Sequence, residues 1–109
     1  FKGALTENYV YSQLKYMGIE SYFWKSNASA ELDFITDYEG VMMPIEVKSA
    51  DNTKAKSLHM FCNRYQPKMA IKTSLKNVGD NMDGQTHVWS VPLYTLFRLK
   101  EYIYAEMGW

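Results

Sequence analysis

A chain of 109 residues and 12.7 kDa has room for one domain and argues against two. Hydrophobic residues at 47% and charged residues at 22%, with three prolines and six glycines, exclude a disordered, collagen-like or mucin-like chain. Twelve Lys and Arg balance twelve Asp and Glu, so no net field draws the whole domain onto a nucleic acid or an anionic membrane; such contact needs a local patch or a basic neighbour.

The chain opens on Phe1 and enters a helical pattern almost at once, which suggests a piece excised from a longer protein. Leu5, Tyr9, Val10, Leu14 and Met17 have helical spacing across residues 4–17, and Gly18 supplies a stop. Ser21-Tyr22-Phe23-Trp24 reads as a short strand, followed by a polar loop over residues 25–30. Glu31 to Thr36 and Val41 to Lys48 read as two strands around the turn residues Asp37-Tyr38-Glu39-Gly40. Alternation places Met43, Ile45 and Val47 on one side and Met42, Pro44, Glu46 and Lys48 on the other, with Pro44 pointing to an edge or an irregularity. An antiparallel hairpin turning near Glu39-Gly40 brings Asp33 opposite or diagonal to Glu46, and a slip of one residue would separate them.

Residues 54–65 form a second helical segment with Ala55, Leu58, Phe61, Cys62 and Tyr65 inward, ended by Pro67. Cys62, the one cysteine, excludes an internal disulfide framework and a Cys-based zinc site; a buried, inert thiol and a cytoplasmic protein are expected. Met69 to Thr73 reads as a strand returning parallel through a crossover, residues 74–85 as a long loop or distorted hairpin, and His87 to Val91 as the last strand. Pro92 starts a helix running to Glu106. The pattern implies an α/β fold, a small mixed sheet with helices packed on it, with no apolar run near the roughly 20 residues of a membrane span.

Glu46 and Lys48 share a face in an apolar strand, and a carboxylate there is costly to bury without a cation or hydrogen bonds. Asp33, between Leu32 and Phe34, raises the same question. A hard divalent cation, Mg²⁺ or Mn²⁺, relieves repulsion between such carboxylates and keeps positions for water and phosphate oxygens. A lysine beside it offsets charge developing on a phosphodiester. The same spacing suits an ordinary ion pair of Glu46 with Lys48 or Lys72 on a wet edge while Asp33 caps a turn, and spacing alone leaves both open. His59 reads as a helix-face residue, and His87, at a strand start, as able to meet a carboxylate; two scattered histidines make no zinc signature. Tyr9, Tyr11, Tyr16, Phe23 and Trp24 are expected in core packing or contact with a neighbouring domain rather than as base-stacking platforms.

Leu5-Thr6-Glu7-Asn8-Tyr9-Val10, Tyr22-Phe23-Trp24-Lys25-Ser26, Glu31-Leu32-Asp33-Phe34 and Pro44-Ile45-Glu46-Val47-Lys48-Ser49 occur in that order. Lys56-Ser57-Leu58, Tyr65-Gln66-Pro67-Lys68 and Val91-Pro92-Leu93-Tyr94 follow. Over nearly its whole length the sequence resembles DUF4143, the C-terminal domain of uncharacterised function in bacterial and archaeal AAA-type ATPases. That resemblance implies a restriction-endonuclease-like core of the PD-(D/E)XK kind. It assigns Asp33 and Glu46 to metal-ligand positions, Lys48 to the catalytic lysine and Glu7 to the auxiliary acid of the first helix; Ser49 and Ser57 match positions without an assigned role. It also implies an attached N-terminal AAA-type ATPase and winged-helix region, which would hold the ATP, since no phosphate-binding loop occurs here. Two functions follow: a Mg²⁺-dependent, nuclease-like domain acting on DNA, or a non-catalytic interaction or DNA-binding module, self-association included. Lys48, Lys54, Lys56, Lys68, Lys72 and Lys76 form either a basic patch or, as the residues favour, ordinary solvated faces.

Overall fold

The computed structural model describes residues 2–27, 29–48, 53–75 and 78–109. A first helix, α1 (Lys2–Tyr16), precedes three strands, β1 (Glu20–Lys25), β2 (Glu31–Tyr38) and β3 (Val41–Val47). Helix α2 (Thr53–Tyr65) leads to β4 (Met69–Ser74), and β5 (Gly79–Asp83) and β6 (Thr86–Pro92) follow. A 3-10 helix over Leu93–Arg98 and helix α3 (Leu99–Met107) end the chain.

The end of α1 shows how local sequence sets the path. Gly18, at φ +72°, takes the left-handed conformation. Its N–H donates to the Lys15 carbonyl, and the Ile19 N–H reaches the Leu14 carbonyl. Ile19 and Leu14 then enter the same core cluster, so the stop also fixes how α1 packs.

The six strands form one mixed sheet in the order β1-β2-β3-β4-β6-β5. β1, β2 and β3 pair antiparallel, β3 runs parallel to β4 and β4 to β6, and β5 closes the far edge antiparallel to β6. Between Tyr38 and Val41 the turn is only Glu39-Gly40, with φ of +53° and +79°, the pair of positive values that a two-residue hairpin turn of the I′ kind requires. The mixed sheet with its helices bears out the expected α/β class. Among the described residues no helix is long and apolar enough to cross a membrane.

The two faces of the sheet are covered differently. Val10 and Leu14 of α1, Leu96 of the 3-10 turn and Leu99 and Ile103 of α3 pack with Phe34, Met43, Ile45, Val47, Met69, Ile71 and Val91. Across the sheet, Leu58, Phe61 and Cys62 of α2 cover Leu32, Ala70 and Val88.

Two expectations change and one pair of alternatives is decided. Pro44 is not in an edge strand, since β3 lies between β2 and β4. It is tolerated because the parallel ladder to β4 starts only at Ile45, so at Pro44 the strand is paired on the β2 side alone. Of the two readings of residues 74–85, the hairpin holds: β5 pairs antiparallel with β6 across Gly84-Gln85, although Gly79-Asp80-Asn81-Met82-Asp83 have poor strand propensity and gain their order from that pairing. The last helix is broken into a 3-10 turn and α3 rather than continuous from Leu93. The aromatic expectation divides: Trp24 packs edge-on against Phe61 at 5.1 Å, while Tyr9, Tyr11, Tyr16 and Phe23 are exposed.

Candidate functional site

Glu46 lies on β3 between Ile45 and Val47, both of which enter the α1/α3 cluster, so the carboxylate projects to the α2 face. It is 2% exposed, which removes the wet-edge arrangement from consideration. The parallel ladder sets Lys72 of β4 beside it. Burial pushes the thiol of Cys62 up to about 11, a hydrogen bond with Thr86 lowers it and Asp83 raises it, while Lys72 and then Glu46 have the smallest effects, lowering and raising it. Cys62 is thus the buried, inert thiol its place in α2 suggested.

Asp33 stands at an irregularity in β2. The β1–β2 ladder pairs Tyr22 with Ile35 and Trp24 with Leu32, so Asp33 and Phe34 together oppose the single residue Phe23. This is a β-bulge, and the core confirms it: Leu32 and Ile35, three apart, both pack on the α2 side, whereas Phe34 packs on the other. On its other side the β2–β3 pairs run from Tyr38–Val41 to Phe34–Ile45, ending one residue short of Asp33 and Glu46. Asp33 is half-buried. The strand pairing bears out an antiparallel hairpin turning at Glu39-Gly40, and its pairs stop short of the two carboxylates.

Lys48 follows β3 directly; its N–H donates to the Thr73 carbonyl at 2.8 Å and its side chain is exposed. Glu7 is half-buried on α1, whose buried residues cover the opposite face, so it belongs to a different layer from Glu46. Ser57 acquires a definite contact: buried on α2, its hydroxyl accepts the Glu31 N–H at 3.2 Å, tying the helix to β2 two residues before Asp33. Only a helix-to-strand crossing reveals that role, and no local pattern encodes it. Ser49 and Lys76 lie outside the described residues. The other basic positions do not converge: Lys68 precedes β4, whereas Lys48 and Lys72 lie toward the opposite, C-terminal ends of the parallel strands.

The two histidines meet carboxylates instead. His59, exposed on α2, bonds Asp83 at 2.9 Å. Nε2 of His87 meets Asp80 at 2.5 Å and its Nδ1 meets Glu106 at 2.6 Å, while Glu106 also accepts the indole N–H of Trp89 at 2.9 Å.

Among the described residues no group of three or more His, Cys, Asp and Glu side chains is placed to hold a metal. A pair of carboxylates is nonetheless a donor set of hard oxygens that suits Mg²⁺ or Mn²⁺, which bind through one or two carboxylates and keep much of their water. Soft or borderline ions that need thiolate or clustered imidazole do not fit it.

Residues 2–96 match the family described as domain of unknown function (DUF4143), and the chain belongs to that family. No curated protein and no solved structure matches it.

Proposed function

We propose that this chain is a nuclease-like domain in which Asp33, Glu46 and Lys48 form a divalent-metal site acting on a nucleic-acid phosphodiester. The observation carrying this reading is the bulge at Asp33, one residue beyond the Phe34–Ile45 pair that precedes the buried Glu46. Bulges are frequent beside active sites because they re-aim a side chain. A Mg²⁺ or Mn²⁺ ion held by the two carboxylates would supply charge stabilisation to the phosphate and acidify water. The chain's own residues do the rest. Asp33 and Glu46 would supply the negative charge, and Lys48, exposed where β3 ends, would offer an ammonium to phosphate oxygens. Lys72 and Ser57 are positioning residues, the first beside Glu46 and the second anchoring the start of β2.

In this reading the core is restriction-endonuclease-like, and Glu7, on α1 across the sheet from Glu46, stands outside the metal site. The domain works attached to an AAA-type ATPase with a winged-helix region that supplies the basic surface a neutral chain lacks.

The test is a calorimetric titration of Mn²⁺ into the chain and into the Asp33→Asn/Glu46→Gln double variant, with circular dichroism to verify the fold. Saturable binding lost in a folded variant, with loss of Mn²⁺-dependent DNA cleavage in Glu46→Gln alone, is the expected outcome. Equal metal binding by the two folded proteins would overturn the site.

A further inference from the structure

The two edges of the sheet are built differently. At one, β5 is short and carries Gly79, Asp80, Asn81 and Asp83, its acids tied to His87 and His59; a charged edge that contains glycine resists a further strand. At the other, β1 keeps its charges to its two ends, Glu20 and Lys25, and sets Ser21-Tyr22-Phe23-Trp24 between them without proline or glycine. Tyr22 and Phe23 are 56% and 59% exposed, and among the described residues no strand covers this edge.

The open edge has a defined hydrogen-bonding phase. The Ser26 N–H donates to the Ala30 carbonyl, so by the two-residue period Trp24, Tyr22 and Glu20 turn their backbone groups toward β2, and Ser21, Phe23 and Lys25 turn theirs outward. The bulge beside Phe23 lies in β2 and leaves this phase in β1 undisturbed. A second β1, antiparallel about a two-fold axis at Phe23, satisfies the outward groups along the strand. Phe23 pairs with Phe23 of the second copy, and Ser21 with Lys25 of the second copy, as hydrogen-bonded pairs. Tyr22 and Trp24 then fall into the closer pairs, aromatic against aromatic, on the side where Trp24 packs on Phe61. Charge selects the direction. Antiparallel strands bring the Glu20 end of one copy to the Lys25 end of the other, whereas parallel strands set Glu20 beside Glu20. The Glu20 end calls for a cation, since Asp37 of β2 is directly opposite Glu20 and among the described residues neither has a basic partner.

We infer that β1 is a self-association edge whose partner is a second copy of this chain, docked antiparallel so that the sheet continues across a two-fold axis at Phe23. The inference rests on the strand's backbone and its residues, and it stands apart from the phosphodiester reading. Sedimentation velocity over a concentration series tests it, and the parent dimerises. Phe23→Lys, at an exposed position, keeps the parent's circular dichroism and raises the dimer dissociation constant at least roughly ten-fold, because it opposes two ammonium groups across the axis. Lys25→Glu weakens the dimer, and Glu20→Lys/Lys25→Glu restores it. The two positions stand at opposite ends of their own strand, so the rescue arises only across the interface. A monomeric parent, dimerisation of Phe23→Lys equal to the parent's, or no rescue by the double exchange would each overturn the edge.

Discussion

The two faces of the sheet are built to different rules. The α1/α3 face is apolar from Val10 to Ile103, and the buried polar side chains there are hydroxyls such as Thr36, whose Oγ1 donates to the Met43 carbonyl at 2.8 Å. The α2 face is smaller and holds Glu46, Lys72, Ser57 and Cys62 among its apolar residues. A face that buries a carboxylate cannot maximise hydrophobic stabilisation, because burying charge has a desolvation cost that only specific partners or a ligand offset. The division suggests that one face holds the fold together while the other is free to carry chemistry.

The sharpest way to break this comparison is to empty each face in turn. Ile71, fully buried on the α1/α3 face, should lose roughly 2–5 kcal/mol of stability on substitution to Ala, measured by urea unfolding. Leu58→Ala on the α2 face should fall in the lower part of that range, since fewer apolar neighbours surround it. A larger loss at Leu58 than at Ile71 would reverse the assignment of the stabilising face.

A smaller effect isolates the polar side. Ser57→Ala removes the acceptor of the Glu31 N–H and should cost about 0.5–1.5 kcal/mol. If the contact also sets the start of β2, metal affinity at Asp33 and Glu46 should drop with it. Unchanged affinity in a folded Ser57→Ala protein would reduce Ser57 to a purely structural contact.

The asymmetry of the faces was partly legible in the sequence. Strict alternation over Met43 to Lys48 separates Ile45 and Val47 from Glu46, and the turn residues Glu39-Gly40 set the register that runs from Tyr38–Val41 to Phe34–Ile45. The bulge at Asp33 was not legible, because its cause is the mismatch between two strands and Glu31-Leu32-Asp33-Phe34 contains no glycine or other local mark. β5 was legible only as one of two alternatives, a loop or a distorted hairpin, because pairing with β6 overrides the propensities of Gly79, Asp80, Asn81 and Asp83. Lys72 and Ser57 reach the site only through the β3–β4 ladder and the packing of α2, contacts too distant in sequence to leave a spacing signal.

The smallest expected effect lies at the far edge, where His87 joins β6 to β5 and to α3. Its two ring nitrogens each face a carboxylate, Asp80 on β5 and Glu106 on α3, an arrangement that favours the imidazolium with both nitrogens donating. The Asp80 hydrogen bond is the main force raising the His87 pKa above its ordinary 6.5; burial opposes it and Glu106 adds to it. A folded pKa raised above the unfolded one stabilises fully below about pH 6.5 and loses that stabilisation as pH rises through the folded value. Melting temperature should therefore fall across the window above pH 6.5, and His87→Gln should flatten the fall without altering metal binding at Glu46. The same slope in both proteins would show that the edge network contributes nothing that depends on the imidazolium. A flattened slope would show instead that this edge draws on charge pairing for its stability, as the packed centre of the α1/α3 face does not.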